Sequence, residues 1–149
     1  MEVSLFLKRD IIQKVPFLKG AGEDLIREIA LVMHPVVYTP GDLVFRAGEP
    51  GADMYFIARG HCEVVGPDGR SVVATLREGD FFGEIALLEH RERSASIRAV
   101  TYCDLYRLDK ESFERVIARF PEFAAHLGAR SAGRRAQNRE TQTRRPSAR

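Results

Sequence analysis

The pattern of apolar and polar positions predicts two helices at the N-terminal end of the chain. Apolar residues recur near helical spacing over residues 4–15, and Pro16 then ends this short amphipathic helix. A second helix begins at Gly22, carries acidic residues in its first turn and places apolar residues along one face. Pro35 is predicted to end it.

After Pro35 the pattern changes to short apolar segments separated by turn-forming residues, with turn signals about every eight to twelve residues. In the longest segment, residues 95–100 alternate between apolar and mainly polar side chains, as in a strand buried on one face. This spacing of short strands predicts a β-sandwich, jelly roll or barrel. The predicted strands run from Leu43 to Arg46, Met54 to Ala58, His61 to Val65, Val72 to Leu76 and Ser94 to Leu108.

Helical periodicity returns near the C-terminal end. Asp109 is predicted to be the N-cap of a helix that Pro121 ends, and a final helix is predicted to start near Glu122. Residues 128–149 carry seven arginines and one glutamate, and from residue 137 the chain has no apolar side chain before Ala148. Such a segment cannot bury a face. We therefore expect three regions: an N-terminal helix (1–20), a globular domain (21–136) and a basic, disordered tail (137–149).

The overall composition is typical of a globular domain. The chain has 149 residues, of which 44% are hydrophobic and 30% charged. No apolar run approaches the roughly 20 residues of a membrane-spanning helix, and the first residues lack the pattern of a secretory signal. Cys62 and Cys103 have no C-x-x-C spacing, so two reduced, buried thiols in a cytosolic domain are expected.

Few features of the sequence favour an enzyme. The four histidines are scattered along the chain, so their spacing predicts no metal site and no metal-dependent cupin. No pairing of a nucleophile with a base is recognisable either. We therefore predict a protein that binds a ligand without catalysis and that needs no cofactor.

The segment from Phe81 to Leu88, FFGEIALL, carries the candidate chemistry. Gly83 allows a close approach of the backbone to a ligand, and the first amides of the helical turn that follows lack partners within the helix, which favours an anion. Arg93 lies five residues beyond Leu88 and can pair with a phosphate through charge-assisted hydrogen bonds. Glu84 is unexpected beside an anion unless it accepts a hydrogen bond, for which a sugar hydroxyl is a suitable donor. Phosphate together with a ribose hydroxyl indicates a nucleotide.

These residues resemble a known family. The run F-G-E-I-A-L-L, followed by R-S-A-S-I-R-A, is similar to the phosphate-binding cassette of cyclic-nucleotide-binding domains, here residues 82–99. The resemblance covers roughly residues 5–127. It is strongest to the cytosolic domain of cyclic-nucleotide-gated and hyperpolarisation-activated channels, through the run T-Y-C-x-L-Y-x-L and an N-terminal helix similar to the end of a channel C-linker.

The resemblance implies an α+β fold: an eight-stranded antiparallel β-roll of the jelly-roll type, with N-terminal helices, a short cassette helix and C-terminal helices. It implies that the amides of Gly83 and Ala86 bind the cyclic phosphate, that Arg93 pairs with a phosphate oxygen, and that Glu84 holds the ribose 2′-hydroxyl. A C-terminal lid helix would close over the purine. The implied ligand-binding residues are Phe82, Gly83, Glu84, Ile85, Ala86, Arg93, Ser94, Ala95, Val72 and Arg134.

The implied function is to bind cAMP, in preference to cGMP, and to regulate a cyclic-nucleotide-gated potassium channel. The partners would be the cyclic nucleotide and the rest of a tetrameric membrane channel, with a cytoplasmic location, no nucleic acid and no membrane span in this chain. A soluble sensor, a kinase regulatory subunit and a transcription factor remain alternatives. Glu84 could instead be an exposed carboxylate at a helix start, and Arg93 a surface residue whose role Arg91 takes.

Overall fold

The computed structural model describes Ile12, Leu18 and residues 22–129. The helices of this part of the chain are α1 (Glu23–Val32), α2 (Glu84–Glu89) and α3 (Lys110–Arg119), and residues 121–129 are helical again. The strands are β1 (His34–Tyr38), β2 (Leu43–Phe45), β3 (Asp53–Arg59), β4 (Cys62–Val65), β5 (Val72–Leu76), β6 (Phe81–Phe82), β7 (Ser96–Ala99) and β8 (Cys103–Asp109).

The strands form two four-stranded sheets. One sheet has the order β1-β8-β3-β6 and the other β2-β7-β4-β5, and neighbouring strands are antiparallel throughout. The predicted α+β fold with an eight-stranded antiparallel roll is confirmed.

Strand β3 explains why one segment of the sequence is apolar without interruption. Met54, Tyr55, Phe56 and Ile57 are all at most 4% exposed. Because side chains alternate along a strand, Tyr55 and Ile57 pack between the two sheets, whereas Met54 and Phe56 pack under the helices. The strand is therefore buried on both faces and forms the centre of the molecule.

The two faces of β3 belong to two separate core clusters. The cluster between the sheets also contains Phe82, Ile97 and Leu105. The cluster under the helices joins the apolar face of α1 to α3 and to residues 121–129. Ile12 and Leu18, from the N-terminal segment, are also buried in it.

The prediction of one long strand from Ser94 to Leu108 is wrong. This segment forms β7 and β8, which lie in different sheets. The chain turns between them because the amide of Val100 donates to the carbonyl of His61 (3.0 Å), while Thr101 Oγ1 accepts from the amide of His61 (3.1 Å). These bonds hold the turn against the β3–β4 connection. The residues of the turn favour strands, so the sequence pattern alone does not reveal that the strand is interrupted here.

Strands β1 and β6 were not predicted, and the second predicted helix ends earlier than expected. Helix α1 ends at Val32, and Pro35 lies inside β1 rather than at a helix end. Proline fits there because β1 is an edge strand and pairs only with β8 within the described chain. At the other end, Asp109 is the predicted N-cap: its side chain accepts from the amide of Ser112.

Both cysteines are buried, as expected, and their sulfur atoms are 3.8 Å apart. Burial raises the pKa of the Cys62 thiol, and the neighbouring Cys103 adds to the shift. No helix in the described part of the chain is long and apolar enough to cross a membrane. Most of the predicted N-terminal helix, the basic tail and both domain boundaries lie outside the described residues.

Candidate functional site

The candidate site is organised around Arg93, which the loop between β2 and β3 holds in place. The amide of Arg93 donates to the carbonyl of Glu49, and the amide of Gly48 donates to the carbonyl of Arg93, both at 2.8 Å. An isolated β-bridge between Pro50 and Glu92 continues this pairing. The backbone on either side of the arginine is therefore fixed before any ligand is considered.

The guanidinium of Arg93 is held by the protein on two of its nitrogen atoms. Nη1 donates to the carbonyl of Gly83 (2.9 Å), and Nη2 donates to both the carbonyl and the carboxylate of Asp53 (2.8 Å each). The ring of Phe45 covers one face of the group, with 3.8 Å between the guanidinium carbon and the ring centroid. The side chain is only 3% exposed.

The third nitrogen of this guanidinium is different. Nε is buried, and no described residue accepts a hydrogen bond from it. Burial lowers the pKa of Arg93, although the Asp53 carboxylate opposes this effect. An arginine pKa begins so high that the group stays charged at neutral pH. A buried cation with an unpaired donor is unfavourable by itself, so this atom is suited to an acceptor from a ligand.

Gly83 makes the turn that brings the cassette backbone to Arg93. It lies at the N-cap of α2 with φ 89°, in the left-handed region that glycine adopts without strain. A Cβ at this position would lie 3.1 Å from Arg93 Nη1 and from the carbonyl of Asp53. The position therefore requires glycine both for its conformation and for the closeness of the arginine.

The short helix α2 packs tightly against the β2–β3 loop. A Cβ on Gly51 would lie 2.3 Å from the Cβ of Ala86, so these two small residues allow the helix to approach the loop. At the other end of the helix, His90 adopts φ 51°, and the amide of Arg91 donates to the carbonyl of Ala86 (3.1 Å). Glu84, the first helical residue, is fully buried.

The structure brings most of the predicted site residues together in one region, but these residues differ in how far they are exposed. Gly83, Glu84, Ala86 and Arg93 lie in the contiguous turn, helix and loop described above. Phe82 is buried between the sheets, where it stacks on Tyr55 with ring centroids 5.2 Å apart. Ser94 and Val72 are exposed, and Ile85 and Ala95 are half-buried. Arg134, the ligand-binding residue predicted beyond the start of the lid helix, lies outside the described residues.

Two of the alternative readings are excluded by burial. Glu84 is not an exposed carboxylate at a helix start, because none of its surface is accessible. Arg93 is not a surface residue of the charged loop, because it is 5% exposed. Arg91, the rival arginine, has a side chain that is 46% exposed and pairs with Glu89 at 3.1 Å.

Asp53 and Phe45, whose side chains contact the Arg93 guanidinium, were not predicted from the sequence. Both are far from the cassette in sequence and belong to the strands on either side of the Gly48–Gly51 turn. A signal for Asp53 was available, since an acidic residue directly before the apolar run of β3 would need a partner on burial. No comparable signal marks Phe45, because an aromatic residue in a strand is explained by core packing alone.

The comparison with known proteins decides the family. Residues 35–120, which include the cassette, match the family model for the cyclic nucleotide-binding domain. The chain belongs to the cyclic nucleotide-binding domain family. The family predicted from the F-G-E-I-A-L-L and R-S-A-S-I-R-A runs is thereby confirmed.

This cyclic nucleotide-binding domain is similar in sequence to channel subunits. Cyclic nucleotide-gated channel beta-3 from Mus musculus is 35% identical over 125 residues, which are 81% of this chain and 18% of the channel subunit. The chain thus spans less than a fifth of the length of that relative.

Solved structures of kinase regulatory subunits share the fold of this domain. The structure described as "cAMP bound PfPKA-R (141-441)" has a TM-score of 0.81 and 24% identity, and the match covers 95% of this chain and 47% of that chain. The regulatory subunit of a cAMP-independent protein kinase A from Trypanosoma brucei has a TM-score of 0.68 and 27% identity, covering 82% of this chain and 47% of that chain. Within the described residues, no group of three or more potential metal ligands is present.

Proposed function

We propose that this domain binds a cyclic nucleotide, with the phosphate held at the cassette by Arg93 and by the backbone amides of Gly83 and Ala86. The observation that carries the proposal is the Arg93 guanidinium, a nearly buried cation with an Nε donor that no described residue accepts. A phosphate oxygen supplies both the missing acceptor and a compensating negative charge.

Glu84 is proposed to accept a hydrogen bond from the ribose 2′-hydroxyl. Its position at the first residue of α2, next to Gly83, places a buried carboxylate beside the proposed phosphate site. A sugar hydroxyl on the ligand would be a donor at this point, whereas a second phosphate would be repelled. Together, the Glu84 carboxylate and the Arg93 guanidinium therefore favour a ligand with one phosphate and a free 2′-hydroxyl, as in a 3′,5′-cyclic nucleotide.

Of the two common cyclic nucleotides we propose cAMP as the preferred ligand. Ser94 is exposed at the mouth of the cassette, where its hydroxyl can serve either ligand. Residues 127–139, among which the lid residue is expected, contain no acidic side chain that would favour the guanine amine. The exposed Val72 and the half-buried Ala95 would contact the sugar and base, and Arg134 would contact the base from the lid.

The domain is further proposed to regulate a cyclic-nucleotide-gated potassium channel from the cytoplasmic side of the membrane, without any catalytic step. The 35% identity to a channel subunit over 125 residues supports this context. The remainder of a tetrameric channel would then be its partner. The second candidate is a kinase regulatory subunit, which the shared fold of such subunits favours.

The test is calorimetric titration of cAMP and then cGMP into the protein and into two arginine variants. Wild-type protein should bind with micromolar or lower Kd, and Arg93→Ala should weaken binding at least tenfold, since a charge-assisted hydrogen bond contributes about 1.5–3 kcal/mol. Arg91→Ala is the matched control, because it removes a positive charge from an exposed side chain only two residues from Arg93. The affinity of this variant should equal that of wild type.

Thermal melting of each variant separates loss of binding from loss of fold, because Arg93 also bonds to Gly83 and Asp53. Where Arg93→Ala is unfolded, Arg93→Lys replaces it, since lysine keeps the charge but not the fork of donors. Absence of binding of either nucleotide to folded wild-type protein would overturn the proposal.

A further inference from the structure

We propose that Phe45 is a positioning residue for the anion-binding arginine: its ring holds the Arg93 guanidinium in one orientation, with Nε directed to the ligand. This inference rests on the proposed function and adds a determinant of ligand affinity outside the cassette. Phe45 is the last residue of β2, whereas Asp53 begins β3 in the other sheet. The contact therefore joins the two sheets through the site.

The geometry is that of a cation–π contact. The guanidinium carbon of Arg93 is 3.8 Å from the centroid of the Phe45 ring, well inside the roughly 6 Å within which the ring quadrupole attracts a cation. Since the arginine side chain is 3% exposed, water competes little for this face. The attraction is correspondingly stronger than at an exposed site.

The ring of Phe45 is itself held by neighbouring aromatic residues. Its centroid is 6.2 Å from that of Tyr55 and 5.8 Å from that of Phe82, and those two rings stack on each other. This aromatic cluster (Phe45, Tyr55, Phe82) fixes the plane against which the guanidinium lies. Phe45 thus has a rigid support rather than a free rotamer.

Three contacts of different kinds then restrict the guanidinium. The carbonyl of Gly83 takes Nη1, Asp53 takes Nη2, and Phe45 covers one face. In-plane hydrogen bonds alone permit the group to tilt out of plane, and a ring stacked on its face prevents this tilt. Of the three nitrogen atoms of this guanidinium, Nε is the one for which no described residue is an acceptor.

The decisive comparison is between Phe45→Leu and Phe45→Tyr in the full chain, titrated with cAMP. Leucine keeps an apolar side chain of similar volume but has no ring, so the Kd should rise about fivefold to thirtyfold. Tyrosine keeps the ring and should hold the Kd within about twofold of wild type. Tyr106→Leu is the matched control, because Tyr106 is a half-buried aromatic residue that packs against the other core cluster, under the helices; its affinity should stay at the wild-type value.

A second measurement does not depend on a ligand. In ligand-free protein, nuclear magnetic resonance should show the Arg93 Nε–H as a slowly exchanging signal displaced by the ring current of Phe45. Phe45→Leu should remove that displacement and accelerate exchange, whereas Phe45→Tyr should retain both.

The outcomes separate the two proposals. If wild-type protein and Phe45→Leu bind cAMP with equal affinity, the role of Phe45 is overturned and the proposed function stands. Equal loss of affinity in Phe45→Leu and Phe45→Tyr also overturns it, since packing rather than the ring face would then matter. If wild-type protein binds neither nucleotide, the proposed function fails. Independently of any ligand, an unchanged Arg93 Nε–H signal in Phe45→Leu would refute the positioning role.

Discussion

At the scale of single residues, the buried charges of the cassette are the informative feature. Glu84 and Arg93 are each at most 5% exposed, although charged side chains are seldom buried to this degree. The protein supplies partners for two nitrogen atoms of the arginine and leaves the third without one in the described chain. Burial of a charged group is unfavourable for folding, and a ligand that supplies an acceptor to the Arg93 Nε recovers part of that free energy.

The role of Glu84 can be tested by changing the protein and the ligand together. Wild-type protein should bind cAMP about tenfold or more tightly than 2′-deoxy-cAMP, because a hydrogen bond to a charged group contributes about 1.5–3 kcal/mol. In Glu84→Gln the difference between the two ligands should shrink to about threefold or less, as measured by calorimetry. Equal discrimination by both proteins would show that the 2′-hydroxyl is recognised elsewhere.

The sequence revealed the local part of this site and not the distant part. Gly83, Glu84 and Arg93 lie within eleven consecutive positions, so their spacing alone suggested an anion site with a hydroxyl acceptor. Asp53 approaches Arg93 across forty positions of sequence, because β3 begins just after the loop that bonds to the Arg93 backbone. Such long-range contacts depend on strand order, which the hydrophobic pattern does not determine.

At the scale of elements, the N-cap of α3 is a local interaction with a measurable effect. The Asp109 carboxylate accepts from the amide of Ser112 at 2.8 Å. Asp109→Ala should lower the free energy of unfolding by about 1 kcal/mol, in line with other N-cap removals. Urea denaturation measures this change. Asp104→Ala is the control, because it removes an exposed aspartate from the same strand, β8, and should alter stability by less than about 0.5 kcal/mol.

The same cap predicts a dependence on pH. The hydrogen bond from the Ser112 amide lowers the pKa of Asp109. A carboxylate with a lowered pKa in the folded state stabilises the protein above its unfolded pKa of about 3.9, and this contribution is lost as the pH falls through the folded pKa. The stability difference between wild type and Asp109→Ala should therefore decrease below about pH 4. A constant difference down to pH 2 would contradict the assignment.

The strands show where pattern and structure diverge. Strand β5 was predicted with its observed bounds because turn residues border it on both sides. The break between β7 and β8 was missed because Val100, Thr101 and Tyr102 have strand-forming side chains. Hydrogen bonds of Val100 and Thr101 to His61 hold the turn there. Strand β1 was missed because a proline within five residues favours a loop or a helix end.

At the scale of the whole molecule, β3 connects the candidate site to the C-terminal helices. Asp53 pairs with Arg93 and lies opposite Asp109 in the ladder between β3 and β8. The amide of Lys110, the first residue of α3, donates to the carbonyl of Ala52 (2.9 Å). A change at Arg93 on ligand binding thus has a short path of hydrogen bonds to the start of α3.

This path predicts which residues respond to the ligand. Addition of cAMP should shift the backbone amide resonances of residues 109–129, whereas the distant turn from Thr39 to Asp42 should change little. Arg93→Ala should abolish the response at the same cAMP concentration. Identical spectra of free and bound wild-type protein over 109–129 would contradict coupling between the site and these helices, even with binding established by calorimetry.

The free energies set how much such coupling can achieve. A ligand bound at micromolar affinity provides about 8 kcal/mol in total, and only the part that differs between two conformations shifts their populations. Moving a switch from 1:99 to 99:1 requires about 5.5 kcal/mol of that difference. In a single domain, most of the binding free energy would therefore have to differ between the two conformations. In the proposed tetrameric channel, several domains acting together would each need less. The steepness of that channel's response to cAMP should therefore exceed the steepness of cAMP binding to the isolated domain.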